Sequence, residues 1–177
     1  MIGNFKAADM LPWWGEYYFK PEHWNDILDI WQKVGKPTTI SEVTVTARED
    51  IGPTREDFQA YVSEMLYKIW FSHPNTNGII WWNLVDDTAL GIENESKGGL
   101  LRRDMSEKPV YKALKKLILK DWHTEAKIAY DPAARENHVR GFFGNYDVTV
   151  KLPNGKTFKT TEPIVKGRKN TAKIILK

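Results

Sequence analysis

The sequence predicts an α/β fold in two parts: a parallel sheet with crossover helices over residues 1–122, then a small antiparallel β-module over residues 123–177. Three observations predict it. Apolar, strand-like runs alternate with segments of helical period as far as Lys120, and that alternation favours parallel strands joined by helices. From Trp122 onward the helical period gives way to short alternating runs, separated by Asp131-Pro132, Gly144-Asn145, Asn154-Gly155 and Gly167. The charge divides at the same place, with 15 Lys/Arg against 18 Asp/Glu up to residue 122 and 11 against 5 beyond it.

Met1-Ile2-Gly3-Asn4-Phe5 reads as the end of an apolar strand, and residues 6–19 as an aromatic loop carrying Trp13, Trp14, Tyr17, Tyr18 and Phe19. Pro21 suits the first turn of a helix. Trp24, Ile27, Leu28, Trp31 and Val34 then recur at helical steps, and Gly35 supplies the stop. Thr38 to Thr46 is β-branched almost throughout and reads as a strand. Thr54 and Asp57 form a capping-box-like pair ahead of an amphipathic stripe of Phe58, Tyr61, Val62, Met65, Leu66, Ile69 and Trp70. The run from Gly78 to Leu84 is nearly continuous in apolar residues, which predicts a strand buried on both faces. A long loop from Val85 to Glu107 leads to a helix from about Pro109 to Lys120 with Val110, Leu114, Leu117 and Ile118 on one face. In the module, strands are expected at Glu125–Tyr130, His138–Phe143, Tyr146–Leu152, Thr157–Thr161 and Thr171–Leu176, with a tight turn at Asn154-Gly155. Phe142, Phe143 and Tyr146 are expected to pack this module onto the first part.

Composition excludes several classes of function. Hydrophobic residues make up 41% and charged residues 28%, enough for a core and against wholesale disorder. The absence of cysteine excludes disulfides, thiolate metal sites and cysteine nucleophiles. Apolar runs are far shorter than a membrane span, and no signal peptide opens the chain, so no membrane association is expected. The basic residues of the tail are spread singly along short strands, which reads as a solvated face rather than a nucleic-acid surface. His23, His73, His123 and His138 are too scattered for a metal site, and no cofactor is expected. Eight Trp is a high count, serving either a core or flat faces that stack on sugars or bases.

Glu42 is the principal candidate for chemistry. By alternation Thr38, Ile40, Glu42 and Thr44 share one face, and Ser41, Val43 and Val45 the other. An acidic side chain inside a buried parallel strand is costly unless it is paired or used. The plainer readings are an edge strand with Glu42 in water, or a carboxylate satisfied by an arginine. Trp81, Trp82 and Asp86 form a second cluster. Adjacent strand residues face opposite sides, so one Trp can look into a site while the other packs under helices, and Asp86 follows at the strand's C-terminal end, where parallel α/β folds build their sites. The alternative is a core Trp and an Asp that caps a turn.

These residues resemble glycoside hydrolase family 10, the (β/α)8-barrel endo-β-1,4-xylanases. Ser41-Glu42-Val43-Thr44-Val45 is similar to the family's strand-seven nucleophile motif, and Trp82-Asn83-Leu84-Val85-Asp86 to its strand-eight motif. Phe71-Ser72-His73-Pro74, Gly99-Leu100-Leu101-Arg102-Arg103-Asp104 and Lys108-Pro109-Val110-Tyr111 fit its closing segment, and the run from Val139 to Tyr146 is similar to a β-rich tail found in bacterial members. The resemblance implies the C-terminal portion of a (β/α)8 (TIM) barrel over residues 1–122 and a small β-sandwich-like module over 123–177. It implies a retaining glycosidase with Glu42 as nucleophile and Trp82 and Asp86 beside a xylan-like polysaccharide; Trp81, Trp13 and Trp14 are further candidate contacts, Trp13 and Trp14 as stacking faces.

A retaining glycosidase needs a second carboxylate about 5–5.5 Å from the nucleophile, to protonate the leaving oxygen. In the family that acid lies on strand four, which this chain does not contain, and a full barrel takes roughly 250 residues. Glu16, Asp86 or Glu93 could lie near Glu42, but no motif places them. Leu90 stands where a further subsite Trp is expected. The chain alone is therefore expected to be inactive, with a missing barrel half or self-association covering its open sheet edges, and the parent enzyme to be secreted or periplasmic. The alternative function is a non-catalytic carbohydrate-binding protein or a structural half-barrel.

Overall fold

The computed structural model describes residues 20–47, 55–129, 131, 133–134, 136–167 and 169–171. The strand end at Met1–Phe5, the aromatic loop with Trp13 and Trp14, the Thr54 cap and most of the run from Thr171 to Leu176 lie outside them. The protein is mixed α/β, with two two-stranded sheets among the described residues. The chain divides into a unit ending at Ile118 and a unit from Leu119 onward.

The first unit opens with helix α1 (Pro21–Gln32), which has Pro at its first turn. Gly35, at φ +70°, takes the left-handed turn that ends it. Leu28 is fully buried and the Trp24 ring meets Trp70 edge-on at 5.1 Å. The expected stripe stops there: Trp31 and Val34 are exposed, because only the first two turns are covered. Strand β1 (Thr38–Val43) follows, then helix α2 (Arg55–Ser72) and strand β2 (Thr76–Trp81). β1 and β2 pair in parallel, as expected for strands joined by a crossover helix. The registers Ile40↔Ile79 and Val43↔Trp81 leave Ser41 and Glu42 opposite the single residue Ile80. That extra residue is a bulge-like shift.

The shift corrects the simple alternation. Ile40 lies on the face of Val43, Ile79 and Trp81, which turns towards α2, whereas Glu42 lies opposite. On the α2 side Val43, Val45 and Ala47 are buried. On the other side Thr39, Glu42, Thr44, Ile80 and Trp82 are open to solvent in whole or in part. The expectation of a β2 strand buried on both faces is therefore overturned: Ile80 is 53% exposed, and among the described residues the sheet has two strands with helices on one face only.

α2 carries most of the core. Phe58, Val62, Leu66, Tyr67 and Trp70 are buried, and the helix packs against α1, β2 and the later helix α4 (Pro109–Lys116). Burial pushes the Tyr67 phenol up to about 12. At the N-terminal ends of the strands, buried His73 accepts the Asn75 N–H on Nδ1 and meets Asp29 of α1 through Nε2 at 3.2 Å. The Asn75 amide donates to Thr38 Oγ1 and the Lys36 carbonyl, which fixes the entry to β1. The segment after β2 contains one short helix, α3 (Ile92–Glu95). α4 buries Val110 and Leu114 and runs on as a π-helical turn over Leu117–Asp121, so the last expected helix is regular only in its first two turns.

In the second unit β3 (Gly144–Lys151) pairs antiparallel with β4 (Thr157–Ile164) through the turn at Asn154-Gly155, where Gly155 sits at φ +82°. Tyr146, Val148, Val150, Phe158 and Ile164 share the half-buried face. The strands expected at Glu125–Tyr130 and His138–Phe143 are not strands among the described residues: Ile128, Val139 and Phe143 are exposed, and no apolar face is formed there to pair. Gly141 lies close under Tyr146, whose hydroxyl donates to the Phe142 carbonyl at 2.7 Å.

Candidate functional site

The parallel pairing brings two of the sequence candidates to the same strand ends. Val43 pairs with Trp81, and the Trp82 N–H donates to the Val43 carbonyl at 3.0 Å. Glu42 stands opposite Ile80, and Trp82 lies two residues beyond Ile80, diagonal to Glu42 on the exposed face. Trp82 is 50% exposed, and its indole Nε1 donates to Glu93 Oε2 at 3.2 Å.

Trp81 and Asp86 point elsewhere. The Trp81 ring lies on the helix side, 6.4 Å from the Tyr67 ring, and its Nε1 donates to the Gly98 carbonyl. Asp86 is buried, with Oδ1 accepting the Gly99 N–H at 2.8 Å. Both its oxygens meet Lys108 Nζ, at 3.2 and 3.0 Å. Asp86, expected to touch a substrate, is committed to the protein interior.

Behind the open face the buried polar groups form a network, in which the Gln59 side-chain oxygen has no hydrogen-bond partner among the described residues. Lys108 is fully buried and donates a further hydrogen bond to the Lys97 carbonyl at 2.8 Å. Burial lowers its amine below the ordinary lysine value, and the Asp86 carboxylate opposes that shift. Gln59 of α2, also fully buried, donates to the Val45 carbonyl at 2.7 Å and to the Lys97 carbonyl at 3.3 Å. This network binds the end of β1, the end of β2, the first turn of α4 and the intervening arm of residues 84–101 into one body.

The arm lies along the strand ends. The Ser96 carbonyl accepts both the Ala47 N–H and the Thr46 hydroxyl. The Leu84 carbonyl accepts the N–H groups of Leu100 and Leu101, and the Asp86 N–H donates to the Leu101 carbonyl. Asp87 and Lys97 hold positive φ at 61° and 49°, and their side chains form an ion pair with each other. Gly99 permits the close approach, since a Cβ there would stand 2.5 Å from the Asp86 nitrogen. Arg102 clamps the next stretch to the first turn of α2 through a fork to Glu56, at 3.0 and 2.5 Å, which raises the guanidinium further.

No protein-family model matches the sequence, and no curated protein does. Solved structures do. The chain is similar to segments of two β-glucuronidases and a GH5_18 protein. With the Bifidobacterium dentium β-glucuronidase complexed with coumarin-3-O-glucuronide it shares 26% identity over 56% of this chain and 17% of the other, at a TM-score of 0.47. The Lactobacillus rhamnosus β-glucuronidase gives 23% identity over 67% and 20%, at 0.45. A GH5_18 variant from Streptomyces cattleya, in complex with Manβ1-4GlcNAc, gives 24% over 51% and 22%, at 0.41. The chain thus spans about a fifth of the length of each. Every TM-score is below 0.5, and the likeness by itself establishes neither the fold nor an activity.

Among the described residues no group of three or more His, Asp or Glu side chains could hold a metal ion, and no helix is long and apolar enough to cross a membrane. Of the expected contacts, Glu42 and Trp82 lie on the same open face, Trp81 and Asp86 face inward, and Trp13 and Trp14 lie outside the described residues. Lys108 and Gln59 are the members that sequence reasoning missed. Gln59 follows Phe58 in an apolar stripe with nothing to mark it. Lys108 stands before Pro109 as an ordinary helix-entry residue.

Proposed function

We propose that the chain is the C-terminal part of a retaining glycoside hydrolase resembling the endo-β-1,4-xylanases, with Glu42 as the nucleophile and Trp82 as a stacking surface for the sugar beside it. The supporting observation is the register of β1 and β2, which sets an exposed carboxylate and an exposed indole on one open face at the C-terminal ends of parallel strands. On this reading residues 20–118 supply two strands and their covering helices to a (β/α)8 barrel. The acid that protonates the leaving oxygen comes from a strand outside this chain. Without that proton the aglycone oxygen leaves as an alkoxide, and the first step stalls.

The expected result is no release of reducing sugar from xylan by this chain, together with weak binding of xylohexaose that Trp82→Ala removes. Turnover abolished by Glu42→Gln would mean that another carboxylate here serves as the acid, and the reading of a divided site would fall. Wild-type binding unchanged in Trp82→Ala would remove Trp82 from the site.

The partner in this proposal is the remainder of the barrel, carried by another polypeptide or replaced by a second copy. Ile80, Trp82 and Leu84 are exposed apolar residues, and among the described residues the sheet has two strands and therefore two edges for a further strand to pair with. Light scattering on the purified chain is expected to show species heavier than the 20.5 kDa monomer. A strict monomer that binds no dye for exposed apolar surface would count against it.

A further inference from the structure

We propose that Glu93 fixes the Trp82 indole so that a carbohydrate meets its ring face and not its N–H, and that the carboxylate itself accepts a sugar hydroxyl; this rests on the carbohydrate reading of the open face. Trp has one polar hydrogen, on Nε1. Glu93 Oε2 takes it at 3.2 Å, so the indole has no donor left for a ligand and offers only its π surface. A flat pyranose with an exposed C–H face matches such a surface. Glu93 is itself exposed, so its second oxygen is open to a hydroxyl.

The position of Glu93 is built from both strands. It lies on the short helix α3, entered through Gly91 at φ +57°. The Ser96 hydroxyl donates to the Glu93 carbonyl at 2.6 Å. The Ser96 carbonyl in turn accepts from Thr46 and Ala47, on the continuation of the strand that carries Glu42. From Glu93 the path returns through the indole to Trp82 at the end of β2, whose N–H is bonded to Val43. The strand end that follows Glu42 and the indole are thus linked by one path of hydrogen bonds. A half-exposed Trp otherwise spreads over several rotamers, and ordering it on binding lowers affinity. Glu93 is therefore a positioning residue for Trp82 as well as a contact.

Indole N–H resonances of the full chain, labelled with 15N at Trp, test the restraint, with Trp82→Phe identifying the signal. Glu93→Ala is expected to move that resonance and speed its exchange with solvent about tenfold. Glu93→Gln keeps an acceptor oxygen and is expected to leave it nearly in place. Titration with xylohexaose is expected to weaken about fivefold in Glu93→Ala and by less than about twofold in Glu93→Gln. A resonance unmoved by Glu93→Ala overturns the restraint. A moved resonance with unchanged affinity overturns its role in binding. If the wild-type chain binds no xylohexaose while the resonance moves as expected, the carbohydrate reading fails, and the ligand half of this inference with it, while the restraint stands.

Discussion

Asp86→Ala is expected to destabilise the first unit by about 3–5 kcal/mol, because it leaves the Lys108 ammonium fully buried without its counter-ion. The Gly99 N–H loses its acceptor in the same stroke. Chemical denaturation of the two chains at neutral pH measures the difference. The pH dependence carries a definite sign. Lys108 has a folded-state pKa below the unfolded lysine value of 10.5, so the unfolded chain binds more protons between the two values, and stability rises with pH across that window. Asp86 opposes the shift. Its removal widens the window, and the variant is expected to recover stability as pH climbs towards 10.5 more steeply than the wild type. Replacing both partners, Asp86→Leu with Lys108→Met, is expected to cost less than Asp86→Ala, because no ion is left stranded. Equal losses in the single and double variants would show that the pair is solvated.

Gly99→Ala is expected to cost about 3 kcal/mol, at the upper end for an overpacked site. The added Cβ would stand 2.5 Å from the Asp86 nitrogen, 2.7 Å from its Oδ1 and 2.8 Å from the Val85 carbonyl carbon. Two of these are backbone atoms, and the third is held by Lys108, so none can swing aside. Gly35→Ala is the control. Gly35 has positive φ but nothing within 4 Å of an added methyl, so its cost is the left-handed conformation alone, about 1–2 kcal/mol. Thermal melts that rank Gly35→Ala as the worse variant would contradict the close packing of the arm.

The fold was legible where one physical signal dominated. The apolar spacing of α2, Pro21 and Gly35 around α1, and Asn154-Gly155 between β3 and β4 each predict what is found, since period, cap and turn are local properties. Burial of β2 on both faces was misread because a run such as Ile79-Ile80-Trp81-Trp82 records what a strand can bury, not whether a second layer is present. The face of Ile40 was misread because a register shift leaves no trace in the residues that flank it. For the candidate site, Glu42 and Trp82 stood out as polar and aromatic residues at strand ends. Asp86 carried the same signal for a different reason, its partner being a lysine 22 positions later that only the tertiary structure brings to it.

The hairpin of β3 and β4 has a consequence for how the chain breathes. No described residue from Leu119 onward is buried, whereas Val62, Val110 and Leu117 are sealed in the first unit. Two strands with one half-covered face are only marginally stable by themselves. Amide protons along Tyr146–Val150 and Phe158–Thr160 should therefore trade with deuterium through local opening, long before those of α2 respond. The two units then report separate clocks, and a protease that meets the chain in its native state will cut the second before the first.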